Sequence, residues 1–218
     1  MSKKPFIIAV DGTSGSGKGT LSARLAKHYG FAMLDTGKIY RLVASEVLKT
    51  GVDTSDIPGI LSLANSLDFS LAPSCNLHTQ EISKCASQIA VYPELRSRLN
   101  QMQRDFPNSY KGAVVDGRDI GTVIFPDAQI KFFIMASIEI CAERRFKQLQ
   151  NEGNLLSYAD VLRDLRERDA RDAERKVAPS HAALDAIVID TSYLDANSVL
   201  ELAISLSQKH VSDYFKSA

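Results

Sequence analysis

Nine consecutive residues, Gly12-Thr13-Ser14-Gly15-Ser16-Gly17-Lys18-Gly19-Thr20, leave the backbone few solutions. Ahead of them runs Phe6-Ile7-Ile8-Ala9-Val10, short, apolar and β-rich, the pattern of a strand buried on both faces. The glycines cannot easily prolong that strand, but they permit a tight turn whose N–H groups point inward at an anion. From Lys18 the period changes. Leu21, Leu25 and Ala26 fall on one helical face, and Gly30 after Tyr29 is a stop signal. The helix that starts there adds its free N–H groups and the positive end of its dipole. Lys18 is in register to reach β- and γ-phosphates. The usual pattern has Ser or Thr directly after the lysine. Here Gly19 intervenes and Thr20 follows, to serve a metal ion directly or through water. A dinucleotide-binding turn is shorter and has no need of Lys18. The unit predicts a nucleoside triphosphate site, which hydrolysing switches and small-molecule kinases both use.

Further strands are predicted at 31–34, 113–115, 130–135 and 187–189. Helices are predicted over 39–48, 60–67, from a Thr79 cap, over 93–106 and 139–149, from a Ser157 cap, and from Ser198, where Glu201 completes a capping box. Asp35-Thr36-Gly37 reads as a turn and Pro107-Asn108-Ser109 as a loop. Five short apolar strands alternating with helices predict an α/β fold, a central five-stranded parallel sheet covered on both faces. The segments about 36–108 and 148–178 interrupt that alternation and read as substrate-covering attachments.

Strand C-termini of a parallel sheet share one ligand edge. Asp116-Gly117-Arg118-Asp119 and Tyr40-Arg41 follow strands there, so Arg41 and Arg118 approach a second anion. Between Glu143 and Arg175 the bases Arg144, Arg145, Lys147, Arg163, Arg166, Arg168, Arg171 and Arg175 match eight acids, so no polynucleotide stripe is implied. Arg168, Arg171 and Arg175 are spaced three and four apart and share a helical face, with Asp172 beside them. With a triphosphate loop elsewhere, they read as a cationic lid that neutralises a moving phosphoryl group and excludes water.

Composition narrows the class. Lys+Arg and Asp+Glu are 26 each among 218 residues, which argues against a basic nucleic-acid module and suits one domain of ordinary size. No apolar run approaches bilayer length, and Asp11 interrupts the only one near the N-terminus. Cys75, Cys85 and Cys141 are odd in number and widely spaced, so a reducing, cytoplasmic setting is expected and no disulfide framework. His28, His78, His181 and His210 are too dispersed for a metal site.

The chain resembles the bacterial cytidylate kinases, nucleoside monophosphate kinases of the P-loop class. The matching segments are Asp11–Thr20; Leu34-Asp35-Thr36-Gly37-Lys38-Ile39-Tyr40-Arg41; Ala86-Ser87-Gln88-Ile89-Ala90 with Pro93 and Arg96; Asp116–Ala128; and Glu167-Arg168-Asp169-Ala170-Arg171-Asp172 with Arg175 and Ala178-Pro179. The resemblance implies a single domain over 1–218: a core of about 5–35, 109–147 and 179–218, a monophosphate-binding region of about 36–108, and a lid of about 148–178. It implies transfer of phosphate from ATP, with Mg²⁺, to CMP and dCMP, by a chain with no polymer or membrane partner, expected as a monomer. On that resemblance Gly12–Thr20 hold ATP, with Thr20 on the metal. Ser87, Arg96 and Asp119 face cytosine, Arg41, Arg118 and Arg175 hold phosphate, and Thr36 lies in the acceptor site. Arg168 and Arg171 belong to the lid, and Asp172 meets the sugar hydroxyls. Lys18, Arg118, Arg168, Arg171 and Arg175 are the candidate catalytic groups.

Two departures from the family pattern stand out. Only Ser70–His78 separates the Leu67-Asp68-Phe69 region from Thr79, so the family's small antiparallel insert is expected to be cut down to a loop. Thr36 stands where Ser is common. Asp119 has a physical route to base choice, since a carboxylate accepts from the cytosine N4 amino group and opposes the uracil carbonyl. A kinase for UMP or AMP, and a regulatory protein that binds ATP without transfer, are the competing readings.

Overall fold

The computed structural model describes residues 4–69, 77, 79–151, 153 and 155–216. Five strands, β1 (Phe6–Gly12), β2 (Ala32–Asp35), β3 (Gly112–Asp116), β4 (Ile130–Met135) and β5 (Ile187–Asp190), form one parallel sheet in the order β2-β3-β1-β4-β5. Central β1 is held in register on both sides, with Ile8 opposite Val114 of β3 and Ile130 of β4. All seven of its residues are buried, which is why its sequence lacks alternation.

Eight helices complete the described chain: α1 (Lys18–Tyr29), α2 (Thr36–Thr50), α3 (Ile57–Ser66), α4 (Gln80–Ile89), α5 (Pro93–Asp105), α6 (Ile138–Asn151), α7 (Tyr158–Glu174) and α8 (Ala196–Lys216). On one sheet face Phe6, Ile8 and Val10 meet Leu21 and Leu25 of α1 and Val199, Ala203 and Val211 of α8. On the other, Ile7, Ala9, Ala113 and Val115 meet Ile120 and Ile124. Each face takes every second residue of a strand, as the pleat requires. Helices α2 to α5 share a core of their own, built from Ile39, Val43, Val47, Ile60, Cys85, Ile89, Leu95 and Leu99.

Several expected boundaries move, each for a local reason. Thr36 and Gly37 are the first residues of α2 rather than a turn, because the Asp35 carboxylate accepts from Lys38 N at 3.1 Å and starts the helix earlier. The last helix begins at Ala196, not Ser198. The Asp195 carboxylate takes the Asn197 and Ser198 amides at 2.8 and 2.9 Å, so the Ser198–Glu201 box is not used. Pro107-Asn108-Ser109 lies in a 3₁₀ turn (Phe106–Ser109) that continues α5. The Thr79 and Ser157 caps are present, accepting from Ile82 N and Asp160 N at 3.2 Å each. A single wide π turn, Ile120–Ile124, has no counterpart in the sequence reading. The loop expected at 70–78 lies, apart from Leu77, outside the described residues, as do Cys75 and His78. Cys85 and Cys141 are buried free thiols. Among the described residues no helix is long and apolar enough to cross a membrane.

Candidate active site

The C-terminal ends of β1, β2 and β3 open into a cleft of about 460 Å³. Lys18, Gly19 and Thr20 of α1 line it with Asp35, Thr36, Tyr40, Arg41, Ser87, Arg96, Asp116, Arg118, Asp119, Arg168, Arg171, Asp172 and Arg175. Every acceptor-side and lid residue expected from the sequence therefore meets the phosphate loop in one cavity.

The loop is shaped by close approach. Gly12 has φ +149°, and a Cβ there would stand 1.9 Å from the Ile134 carbonyl oxygen. That oxygen accepts from Thr13 N at 3.1 Å, so β4 carries the start of the loop. Gly15, at φ +76°, would press a Cβ to 3.0 Å from Cys141. The Lys18 ammonium donates to Thr13 O at 3.0 Å, folding its side chain back over the loop. The buried Thr191 hydroxyl donates to Ser16 O at 2.8 Å, and Arg144 donates to Thr191 Oγ1 at 3.0 Å.

Arg118 joins the loop to α7. It donates to Gly12 O and Ser14 Oγ at 2.7 Å each and to the Asp172 carboxylate at 2.8 Å. The α7 stripe explains how Asp172 arrives there. Val161 and Leu165 pack against Cys141, Ala142 and Leu149 of α6, and the same face continues through Arg168 to Asp172. A turn away, Asp169 accepts from Ser14 N at 3.0 Å. Two contacts tie α7 to α4 across the cleft: Gln80 donates to Asp164, and Arg171 Nε to Ser87 Oγ at 3.3 Å.

At the acceptor end, Arg96 is ion-paired to Asp119, while Arg175 lies 3.6 Å from Asp119 and 3.7 Å from Asp172. These side chains are all less than a tenth exposed, so they form a pre-set, water-poor array. Arg41 pairs with Asp35 at 3.1 Å, and the Thr36 hydroxyl donates to Asp116 O at 2.8 Å. Arg168 Nε and Arg41 Nε are buried without a hydrogen-bond partner. Burial first, then Arg118, holds the Arg168 pKa down to about 10. Burial and Arg118 likewise hold Lys18 down to about 8. Crowded cations with unused donors are what an incoming polyphosphate would relieve.

The carboxylates divide in the opposite way. Burial, with Asp35 nearby, pushes Asp116 up to about 7 against the pull of Lys18 and Arg118. Burial pushes Asp11 up to about 6, although Gly121 and Ile120 donate to it. Asp172 is buried too, but Arg118 and Arg168 outweigh burial and hold it below the ordinary carboxylate range. For a divalent cation, the Thr20 hydroxyl and Asp116 carboxylate supply oxygen donors in the cleft, a donor set suited to a hard ion. Among the described residues no group of three or more His, Cys, Asp or Glu forms a closed metal cage. Sequence reading assigned no role to Asp11, Asp116 or Asp169. Strand-end position signals the first two, while the third becomes visible only when α7 docks on the loop.

The arrangement can hold a polyphosphate at one end and a smaller anion beside a polar array at the other. A family model described as cytidylate kinase matches residues 8–209. The chain belongs to the cytidylate kinase family. A cytidylate kinase of Rhodospirillum rubrum is 47% identical over 205 residues, covering 92% of this chain and 96% of that protein. One of Pasteurella multocida is 42% identical over 225 residues, covering 97% and 98%. One of Rhodopseudomonas palustris (strain CGA009) is 44% identical over 201 residues, covering 92% and 95%. The cytidylate kinase match thus takes in the phosphate loop, the acceptor array and α7 together.

Proposed function

We propose that this chain transfers the γ-phosphoryl group of ATP to CMP and dCMP, giving CDP and dCDP. The observation that carries the reading is the single cleft that joins the Lys18 loop to the Arg96–Asp119–Arg175 array. A hydrolysing switch has no use for the second, buried polar end. Gly12–Thr20 with Lys18 bind the ATP phosphates. Thr20 and Asp116 hold Mg²⁺, which neutralises triphosphate charge when bound. Arg41 and Arg118 anchor the CMP phosphate, with Thr36 beside them. That phosphate oxygen is already anionic near neutral pH and attacks in line without a general base, so catalysis rests on positioning and electrostatics. Arg168 and Arg171 from α7, with Arg175 at the extended position just past the helix end rather than on its face, converge on the transferring group, and the unpartnered Arg168 Nε is a donor available for it. Asp172 orients Arg118 and faces the sugar.

The Asp119 carboxylate accepts from the cytosine N4 amino group, with Arg96 and Ser87 completing the base contacts. In this reading the core is about 5–35, 109–147 and 179–218, with residues 36–108 as the monophosphate-binding region and 148–178 as the lid. The test is ADP release from MgATP with CMP, dCMP, UMP, AMP and GMP in turn. CMP- and dCMP-dependent turnover well above the rest is expected. Preference for UMP or AMP would overturn the base assignment but keep the chemistry, and no acceptor-dependent turnover would overturn both.

A further inference from the structure

Asp11 is absent from the cleft lining, yet it is buried and ionisable and stands directly before the phosphate loop. Its oxygens accept from Ile120 N at 2.8 Å and Gly121 N at 2.7 Å. Those are the first two amides of the π turn Ile120–Ile124, whose cap position is Asp119. An aspartate at that position ordinarily folds its carboxylate onto the amide two or three residues ahead. Asp119 makes no such bond. The amide two residues ahead of it, Gly121 N, is taken by Asp11 from the neighbouring strand. The Asp119 carboxylate is thereby left to pair with Arg96 and Arg175. The Asp119 carbonyl still serves the turn, accepting from Val123 N and Ile124 N at 2.9 and 3.2 Å.

We propose that Asp11 is a positioning residue for acceptor-base selection: it caps the 120–124 turn in place of Asp119 and so keeps the Asp119 carboxylate aimed at the acceptor end of the cleft. The proposal rests on the reading of Asp119 as the base contact. It also joins two parts of the site mechanically. Asp11 precedes Gly12, and Gly117 N bonds Val10 O at 3.0 Å, so the start of the phosphate loop and the base-reading turn share one stiff joint.

Asp11→Asn keeps size and shape but offers one acceptor oxygen where two amides need one each. Its NH₂ must face an N–H, and Asp119, at the cap position of the turn, is free to fold back onto the orphaned amide. The measurement is kcat/KM for CMP and for UMP on one preparation, because their ratio cancels the active fraction. The CMP:UMP ratio is expected to fall roughly tenfold, mainly through a raised KM for CMP. Asp11→Ser, with a shorter acceptor, carries the same test where the amide variant does not accumulate. Asp119→Asn run alongside separates the two ideas. A changed ratio in Asp119→Asn with unchanged ratios in both Asp11 variants would overturn the positioning role, leaving Asp11 purely structural. An unchanged ratio in Asp119→Asn would sink the base contact itself, and the Asp11 proposal with it.

Discussion

Replacing Arg118 by lysine keeps the charge and removes the fork. In the folded chain this guanidinium reaches three acceptors at once, Gly12 O, Ser14 Oγ and the Asp172 carboxylate, at 2.7, 2.7 and 2.8 Å. A lysine ammonium is a single point on a flexible stem and cannot span acceptors on β1, the loop and α7 together. At least one charge-assisted bond is lost. Such bonds contribute about 1.5–3 kcal/mol each. Every 1.4 kcal/mol is roughly tenfold, so kcat/KM for CMP should fall about 10- to 150-fold. Side-chain exposure of only 13% means that solvent replaces little of the loss. The assay is steady-state ADP release at saturating MgATP with varied CMP, on protein whose melting curve shows a cooperative transition. A variant within threefold of the parent would refute the reasoning, because it would mean that charge alone, without the geometry of the fork, suffices.

Three further outcomes follow from the same geometry. Burial and Arg118 hold Lys18 down to about 8, well below the ordinary 10.5, so it is partly deprotonated at about pH 8.5. A polyphosphate beside it restores the proton, and ADP binding at that pH should take up protons, measurable by calorimetry in buffers of different ionisation enthalpy; no uptake, or equal uptake in Lys18→Met, would count against it. Thr191→Val leaves the Ser16 carbonyl without its hydroxyl donor and removes one of the two acceptors of Arg144, whose bond to the Thr191 carbonyl remains. A cost of about 1–3 kcal/mol is expected, with a lowered Tm and a raised KM for ATP but not for CMP. Gly12→Ala places a methyl against the Ile134 carbonyl at 1.9 Å, inside the central sheet. It should cost more than about 4 kcal/mol, so soluble protein with the parent's Tm would contradict the described strand contact.

The sheet was legible because burial on both faces writes itself as short apolar runs, and β4 was read to the residue as Ile130–Met135. The phosphate loop was legible because an anion-holding turn needs glycines and a lysine in register. Boundaries failed where a side chain reaches forward to cap. Asp35 and Asp195 each start a helix before the apolar period begins, and period alone does not see them. The arginines and Asp119 were legible as a set, but their partners were not. That Asp172 meets Arg118, and Asp169 meets Ser14, depends on α7 docking over the loop, a contact across more than fifty residues for the first and 155 for the second. The π turn was invisible, since its extra residue is accommodated by Asp11 from a different strand.

Asp169 has one consequence for how the loop treats anions. Its carboxylate already occupies the Ser14 amide, so the nest that would hold phosphate is met first by a tethered competitor. Tethering gives that competitor an effective concentration on the order of millimolar or more. A weakly held monovalent anion at lower concentration cannot displace it, whereas a polyphosphate, which also engages Lys18 and Arg168, can. On the proposed function, the Ser14 amide would pass from Asp169 to a phosphate, and only an anion that also reaches Lys18 and Arg168 would compete for it well.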